Sequence, residues 1–155
     1  MTKLKYLMAI DPGIGGAIAV RNSTTKSIGI FDMPKNPHGI TDLLNTSYDI
    51  MPICYIEQIQ ARENDKARVS SAMKLMKNYG ICLGALYSQD WKVNIVPSQT
   101  WMSGFVKAGL KKEKRKKELH KIAKDLFPDL KFKKSQADAL CLLAYGMTQE
   151  ELWEE

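Results

Sequence analysis

The first third of the chain consists of short hydrophobic runs that turn sequences interrupt. The run Leu4–Ile10 ends at Asp-Pro-Gly at positions 11–13, a sequence that favours a turn. Two further runs follow, Gly16–Arg21 and Ser27–Met33, and a polar loop separates them. Short apolar runs joined by short polar turns predict a three-stranded antiparallel meander.

Further along the chain, helical and strand patterns alternate. The predicted elements are, in order, a short helix at Thr41–Asn45, a buried strand at Ile53–Ile56, a long helix at Asp65–Gln89, a strand at Lys92–Val96, a short helix from Ser98, a basic helix at Lys111–Phe127 and a final helix at Ser135–Met147. A meander followed by such an alternation predicts an α/β fold with a mixed five-stranded sheet flanked by helices. We expect one domain over residues 1–148 and a frayed acidic tail over 149–155.

The large apolar side chains outside the strands are expected to lie in the core. They are Met73, Met76, Trp101, Phe105 and Phe127. Three cysteines lie far apart in apolar surroundings, which favours buried, reduced thiols and a cytoplasmic location. No apolar run approaches the roughly 18 residues that span a bilayer, so no membrane association is expected. The sequence contains neither a P-loop nor a dinucleotide-binding fingerprint, so no nucleotide cofactor is predicted.

Positive charge is concentrated in one segment. Residues 107–134 contain twelve Lys or Arg and four Asp or Glu, a net charge of +8, whereas the whole chain carries +6. Such a patch is typical of nucleic-acid binding, although a solvated helix face is an alternative. Lysines open the predicted helix at residue 111, where the helix dipole disfavours positive charge, and a bound phosphate would reverse that effect. This oddity favours DNA contact.

Three carboxylates lie at the ends of predicted elements. Asp11 and Glu57 end the first and fourth strands, and Asp138 lies in the first turn of the last helix. Carboxylates at the ends of neighbouring strands can meet in a cleft and hold Mg²⁺ or Mn²⁺, which activate water for phosphodiester hydrolysis. Each residue also has a simpler interpretation, since Asp11 could form a turn, Glu57 could mark the emergence of a strand into solvent, and Asp138 could cap its helix.

In order and spacing, three segments resemble the active-site motifs of RuvC-type Holliday junction resolvases, and phage-encoded members most closely. The segments are Ala-Ile-Asp-Pro-Gly at 9–13, Tyr-Ile-Glu-Gln at 55–58 and Ala-Asp-Ala-Leu at 137–140. The resemblance implies a ribonuclease-H-like fold, a homodimer and paired nicks across a four-way junction. It also implies that Asp11, Glu57 and Asp138 bind Mg²⁺, with Mn²⁺ as a substitute, and that Lys114 lies near the scissile phosphate.

Two positions depart from the family pattern. Ser135 stands where the family usually has a further Asp or His, so a second metal would be held weakly. Gln60 stands where bacterial members often carry an aromatic residue that wedges into the junction. We expect a polar, basic loop there to contact phosphates and to tolerate a range of branched DNA, including forks. The predicted DNA-binding residues are Gln60, Arg62, Lys66, Arg68, Lys107, Lys111, Lys112, Lys114, Arg115, Lys117, Lys134 and Ser135.

The long helix at Asp65–Gln89 is apolar over more than one stripe. Gly80 and Gly84 would let another helix approach closely, which favours a homodimer, although a central core helix of a monomer is the alternative. The leading hypothesis is therefore a dimeric, metal-dependent endonuclease that resolves Holliday junctions. Two alternatives stay open, a nuclease of the same fold that prefers forks or flaps, and a DNA-junction-binding protein without catalysis.

Overall fold

The computed structural model describes residues 4–13, 15–22, 24–45, 50–60 and 69–153. In chain order, the elements are β1 (Leu4–Asp11), β2 (Ala17–Arg21), β3 (Ile28–Asp32), α1 (Pro37–Leu44), β4 (Ile50–Glu57), α2 (Val69–Ser88), β5 (Lys92–Val96), α3 (Ser98–Met102), α4 (Lys112–Leu126), a 3₁₀ turn (Lys134–Gln136) and α5 (Ala137–Gln149). All five predicted strands and the predicted order of elements are confirmed. No helix in these ranges is long and apolar enough to cross a membrane.

The sheet is mixed and has the order β3-β2-β1-β4-β5. The meander β1-β2-β3 is antiparallel, whereas β4 pairs in parallel with β1 on one side and with β5 on the other. The two strands predicted to end in carboxylates, β1 and β4, are therefore neighbours at the centre of the sheet. Their register pairs Ile10 with Ile56, so Asp11 and Glu57 come next along each strand.

Alternating side chains of the central strands divide the core into two halves. Leu7, Ala9 and Tyr55 face one side of the sheet, where they pack with residues of α4 and α5. Met8 and Ile10 face the other side, where α1 and α2 cover them. Because both faces are covered, the central strands are apolar at nearly every position, and each fully buried Leu or Ile contributes about 1.5–3 kcal/mol.

Helix α1 begins four residues earlier than predicted. Pro37 occupies the first turn, and the side chain of Asn36 accepts a hydrogen bond of 2.8 Å from the backbone N–H of Gly39. An Asn cap followed by Pro is a common helix start, because Asn satisfies a free N–H and Pro needs none.

Two expectations about packing are wrong. Met73 and Met76 lie on the exposed side of α2, and the Met73 side chain is 67% exposed, so neither belongs to the core. The acidic tail packs against the rest of the chain up to residue 153 and is not frayed there. Leu152 is buried, and Trp153 stacks on Phe127 with ring centroids 6.2 Å apart. The acidic composition of the tail hid these two apolar anchors. Trp101 and Phe127 are buried as predicted, and Phe105 packs partly buried against the same core.

Candidate active site

Asp11 and Glu57 lie side by side at one end of the sheet and project from the same face. Side chains alternate along a strand, so residues two apart share a face. Leu7 and Ala9 of β1 face α5, and so do Ile53 and Tyr55 of β4. The register of the two strands, together with this alternation, brings both carboxylates to the start of α5.

Asp138 reaches the same place because the start of α5 is tied to the end of β3. Asp32 accepts a hydrogen bond of 2.9 Å from the Gln136 amide and one of 2.6 Å from the Lys133 ammonium. The Gln136 side chain in turn accepts a bond of 2.8 Å from the backbone N–H of Lys133. Asp138 follows in the first turn of α5, which has no side-chain cap. The interpretation of Asp138 as a capping residue is therefore wrong.

The three carboxylates are close enough to affect one another's proton affinity. The pKa of Asp11 is raised to about 6, by burial first and then by the charge of Asp138, against the opposing effect of a hydrogen bond from the Gly13 N–H at 3.3 Å. The pKa of Glu57 is raised to about 7, by burial first and then by the charges of Asp11 and Asp138. The pKa of Asp138 is also raised, by burial. Three half-buried acids of this kind repel one another until a cation or protons neutralise them.

Glu57 has a hydrogen-bond donor of its own. The indole Nε1 of Trp101, a fully buried residue of α3, lies 3.1 Å from Glu57 Oε2 and lowers the pKa of that carboxyl against the effect of burial. The apolar character of Trp101 predicted its burial but gave no sign of this contact. The bond fixes one oxygen of Glu57, so the side chain does not simply mark the emergence of β4 into solvent.

The arrangement is not a closed metal cage. Over the residues that the structure describes, no group of three His, Cys, Asp or Glu side chains is arranged so that it could hold a metal ion. The donor chemistry nevertheless fits a hard divalent cation, because carboxylate oxygens are the ligands that Mg²⁺ prefers. Burial and the charge of Asp138 raise the pKa of Asp11 and of Glu57, so a nearby cation would stabilise their ionised forms.

Two cations of α4 face the carboxylates. Arg115 and Lys116 both lower the pKa of Asp138, Lys116 lowers that of Asp11, and Arg115 lowers that of Glu57. Helix α4 packs against α5 through the buried residues Leu119 and Ala123. At 3.6 residues per turn, residues 115 and 116 lie one turn before Leu119 on this side of the helix. The charges therefore meet because the helices pack.

No protein-family model matches the sequence, and no curated protein matches it either. Solved structures do match. RuvC of T. thermophilus in complex with a Holliday junction substrate superposes with a TM-score of 0.59 and 14% sequence identity, over 95% of this chain and 97% of that chain. A second structure of Thermus thermophilus RuvC matches over the same shares of both chains, with a TM-score of 0.57 and 14% sequence identity. The chain has the RuvC fold, which is ribonuclease-H-like.

Within this RuvC fold, Lys116 is the residue that the sequence analysis missed. Lys114 was assigned to the scissile phosphate, but it precedes Leu119 by five residues and so projects about 140° away from it on an ideal helix. Lys116 precedes Leu119 by three residues and lies beside the carboxylates. Extending the apolar positions 119, 122, 123 and 126 backwards along the helix would have selected residues 112, 115 and 116. The role of Lys114 stays a prediction.

The other predicted DNA-binding residues are exposed or half-buried, or lie outside the described residues. The exposed ones at the start of α4, before it and in the turn before α5 are Lys107, Lys111, Lys112, Lys114, Lys117, Lys134 and Ser135. Arg115 is half-buried, and Gln60 is exposed beyond the end of β4. Arg62, Lys66 and Arg68 lie outside the described residues. DNA contact by all of these residues stays a prediction.

Helix α2 has an exposed apolar stripe on the side away from the sheet. We call these residues the apolar stripe: Val69, Met73, Met76, Gly80, Gly84 and Tyr87. A Cβ built on either Gly80 or Gly84 would find nothing within 4 Å. The stripe therefore offers a flat surface on which a second helix could pack closely.

Proposed function

We propose that this chain is a homodimeric, Mg²⁺-dependent endonuclease that resolves four-way DNA junctions by paired nicks. The observation that supports this most strongly is the convergence of Asp11, Glu57 and Asp138 from three elements beside Arg115 and Lys116. The RuvC of known structure bound to a Holliday junction shares the fold over 95% of this chain, which favours a branched-DNA substrate.

Asp11, Glu57 and Asp138 would hold the metal, with Mn²⁺ as a substitute for Mg²⁺. The ion would supply positive charge against the developing negative charge of the phosphate and would make water a better nucleophile. The chain's own residues then have distinct tasks. The Trp101 indole keeps Glu57 in position, and Arg115 and Lys116 bind the anionic strand at the site. Water attack on phosphorus with departure of the 3′ oxygen leaves 5′-phosphate and 3′-hydroxyl ends.

The apolar stripe supports the homodimer. Packing of a second chain over Met73 and its neighbours would remove apolar surface from water. This burial would stabilise the dimer by about 25 cal/mol per Å². A two-fold axis through the stripe would give a dimer with two candidate sites, and paired nicking requires two.

Cleavage of a synthetic four-way junction tests the proposal. We expect cutting with Mg²⁺ or Mn²⁺, no cutting in EDTA and no cutting of linear duplex of the same sequence. Asp11→Asn is expected to abolish cutting while junction binding persists, and Asp42→Asn, the same change on the exposed face of α1, is expected to cut normally. Equal cutting of duplex and junction would defeat the structure-specific part of the proposal.

Two alternatives have observations in their favour. Gln60, exposed and polar after β4, favours a nuclease that acts on forks or flaps, and faster cutting of three-way than four-way substrates would support it. The lack of a ready metal-binding group in the described residues, together with Ser135 in the place of a ligand, favours a junction-binding protein without catalysis. Tight junction binding without any divalent-dependent cutting would support that alternative.

A further inference from the structure

A cleft of about 580 Å³ adjoins the carboxylates but is separate from them. One wall is α2, another is the segment between β3 and α1, and the third is formed by residues at 15–16 and by Ser135. Its volume lies within the range of about 300–1,000 Å³ that is usual for small-ligand sites. It is therefore large enough for a nucleotide and too small for a duplex.

The cleft shares its wall with the turn that follows Asp11. In this turn, the backbone N–H of Gly16 donates a hydrogen bond of 2.8 Å to the carbonyl of Gly13. The side chain of Asn78 on α2 donates a bond of 2.8 Å to the Pro12 carbonyl. Ser135 precedes Asp138 by three residues. The cleft and the carboxylates therefore share two segments of chain, the turn that follows Asp11 and the start of α5.

The lining combines positive charge with an apolar floor. Lys35, Lys74 and Lys77 border the cleft, and in the described part of the chain none of the three forms an ion pair. Met33, Ile40 and Ile81 form apolar surface between them. Lysines that surround an apolar floor suit a ligand with an anionic backbone and a flat, weakly polar face, which is the chemistry of a nucleotide.

Helix α2 presents these residues on a face of its own. The spacing of Lys74, Lys77, Asn78 and Ile81 follows i, i+3, i+4, i+7. At 100° per residue, this face lies about 110° from the centre of the apolar stripe and about 110° from the buried face around Cys82 and Leu86. The centre of the cleft face is therefore separate from the stripe, and Lys77, about 20° from Gly84, lies at the border between the two.

We propose that this cleft receives one unstacked nucleotide of the DNA strand, next to the phosphate that is cut. Its base rests on Met33 and Ile81, and its flanking phosphates lie against Lys74, Lys77 and Lys35. Unstacking costs least where bases are already poorly stacked, as at the branch point of a junction. The cleft would thus help the protein to prefer branched DNA over duplex. This inference rests on the proposed function, because it assumes a DNA strand at the carboxylates.

The test uses binding alone, so that cleavage is not needed. The probe is a four-way junction with 2-aminopurine placed in turn at each position around the branch point, and the protein carries Asp11→Asn in EDTA. We expect a fluorescence increase at one position next to the branch. Lys74→Gln with Lys77→Gln should weaken binding on the order of tenfold and should reduce the slope of log K against log salt by about 1.4, the value for two contacts to a single strand.

Matched charge changes at the opposite end of the sheet provide the control. Lys26 follows β2 and Lys92 begins β5, both far from the carboxyl ends of the central strands, and both are exposed. Lys26→Gln with Lys92→Gln should leave the affinity within about twofold. Ile81→Trp, which fills the floor, should remove the fluorescence increase and keep most of the affinity. Its fold and that of the double variants are checked by circular dichroism and gel filtration.

The outcomes separate the two proposals. If the protein cuts junctions but the Lys74/Lys77 variant binds like the control, or 2-aminopurine does not respond at any position, the cleft proposal is wrong and the proposed function stands. If the protein cuts no junction but this variant loses affinity and signal, the cleft binds a nucleotide and the nuclease proposal is wrong. Comparable affinity for free 2-aminopurine deoxynucleotide would make the cleft a small-molecule site and would overturn the inference.

Discussion

The indole nitrogen of Trp101 donates a hydrogen bond of 3.1 Å to Glu57 Oε2, and this bond joins a core residue of α3 to the candidate metal site. Trp101→Phe keeps an aromatic ring but removes the donor. Because the bond lowers the pKa of Glu57, its loss should raise that pKa and shift the acidic limb of the pH–rate profile for junction cleavage to higher pH. We also expect a loss of about 1–3 kcal/mol in the free energy of unfolding.

Phe105→Leu is the matched control for this change. Phe105 meets Trp101 edge-on, with ring centroids 6.5 Å apart, so its truncation loosens the same packing but leaves the donor in place. It should lower stability without moving the acidic limb. An equal shift of the limb in both variants would show that packing alone sets the proton affinity of Glu57.

Lys116 and Lys114 are the two candidates for the lysine that contacts the scissile phosphate. Lys116→Gln should slow single-turnover cleavage at saturating protein on the order of 10- to 100-fold, because Lys116 lies beside Asp11 and Asp138. Lys114→Gln should mainly weaken junction binding, because its side chain points away from α5. The reverse order of effects would support the assignment made from the family resemblance.

Stability of the metal-free protein should fall as the pH rises from about 4 to about 7. The pKa of Asp11 is raised from 3.8 to about 6, and that of Glu57 from 4.5 to about 7. A carboxyl with a raised pKa in the folded state binds its proton more tightly there. Its stabilising effect is therefore complete below the unfolded pKa and disappears as the pH passes the folded pKa. For Asp11 the loss is at most on the order of 3 kcal/mol.

Thermal unfolding in EDTA measures this loss. Asp11→Asn should melt at a higher temperature than wild type at pH 8 and at a similar temperature at pH 4, whereas Asp42→Asn should follow wild type at both values. Added Mg²⁺ should raise the melting temperature of wild type more than that of Asp11→Asn. A wild-type protein that is equally stable from pH 4 to pH 8 would contradict the repulsion among the carboxylates.

The apolar stripe of α2 should determine the oligomeric state. Met73→Glu places a charge at its most exposed large residue and should convert a particle of twice the 17.5 kDa chain mass into a monomer, as measured by light scattering. Thr41→Glu, on the exposed side of α1, is the control and should leave the mass unchanged. A wild-type protein that is monomeric at micromolar concentration would remove the basis for paired nicking by a dimer.

Gly15 and Gly16, in the turn that follows Asp11, should respond very differently to substitution by alanine. A Cβ on Gly16 would lie 2.1 Å from the Asp11 carbonyl oxygen and 2.8 Å from that of Gly13, both backbone atoms that cannot move aside cheaply. Gly16→Ala should therefore cost about 2–3 kcal/mol or more and should impair cleavage. Gly15→Ala meets nothing within 4 Å and should change the free energy of unfolding little. Urea unfolding of both variants compares them directly.

The sequence by itself determined the strands, their order and the carboxylates at their ends. The alternation of apolar and polar residues and the presence of turn residues are local features of the sequence. The residues within a few positions of Asp11 and Glu57 therefore suffice to predict where these two strands end. The segregation of positive charge into residues 107–134 is likewise visible without coordinates. These features predicted the mixed sheet, which the structure confirms. They also predicted the three acids, which the structure brings close to one another.

Only the tertiary structure decided which side of each helix meets which neighbour. Helix α2 is apolar over more than one stripe, so its pattern could not tell buried Cys82 from exposed Met73. The rotation of α4 against α5 placed Lys116, not Lys114, beside the acids, and the indole of Trp101 reached Glu57 across 44 positions. Periodicity fixes directions within one element, whereas contacts between elements depend on how close-packed side chains fit, and no local pattern carries that information.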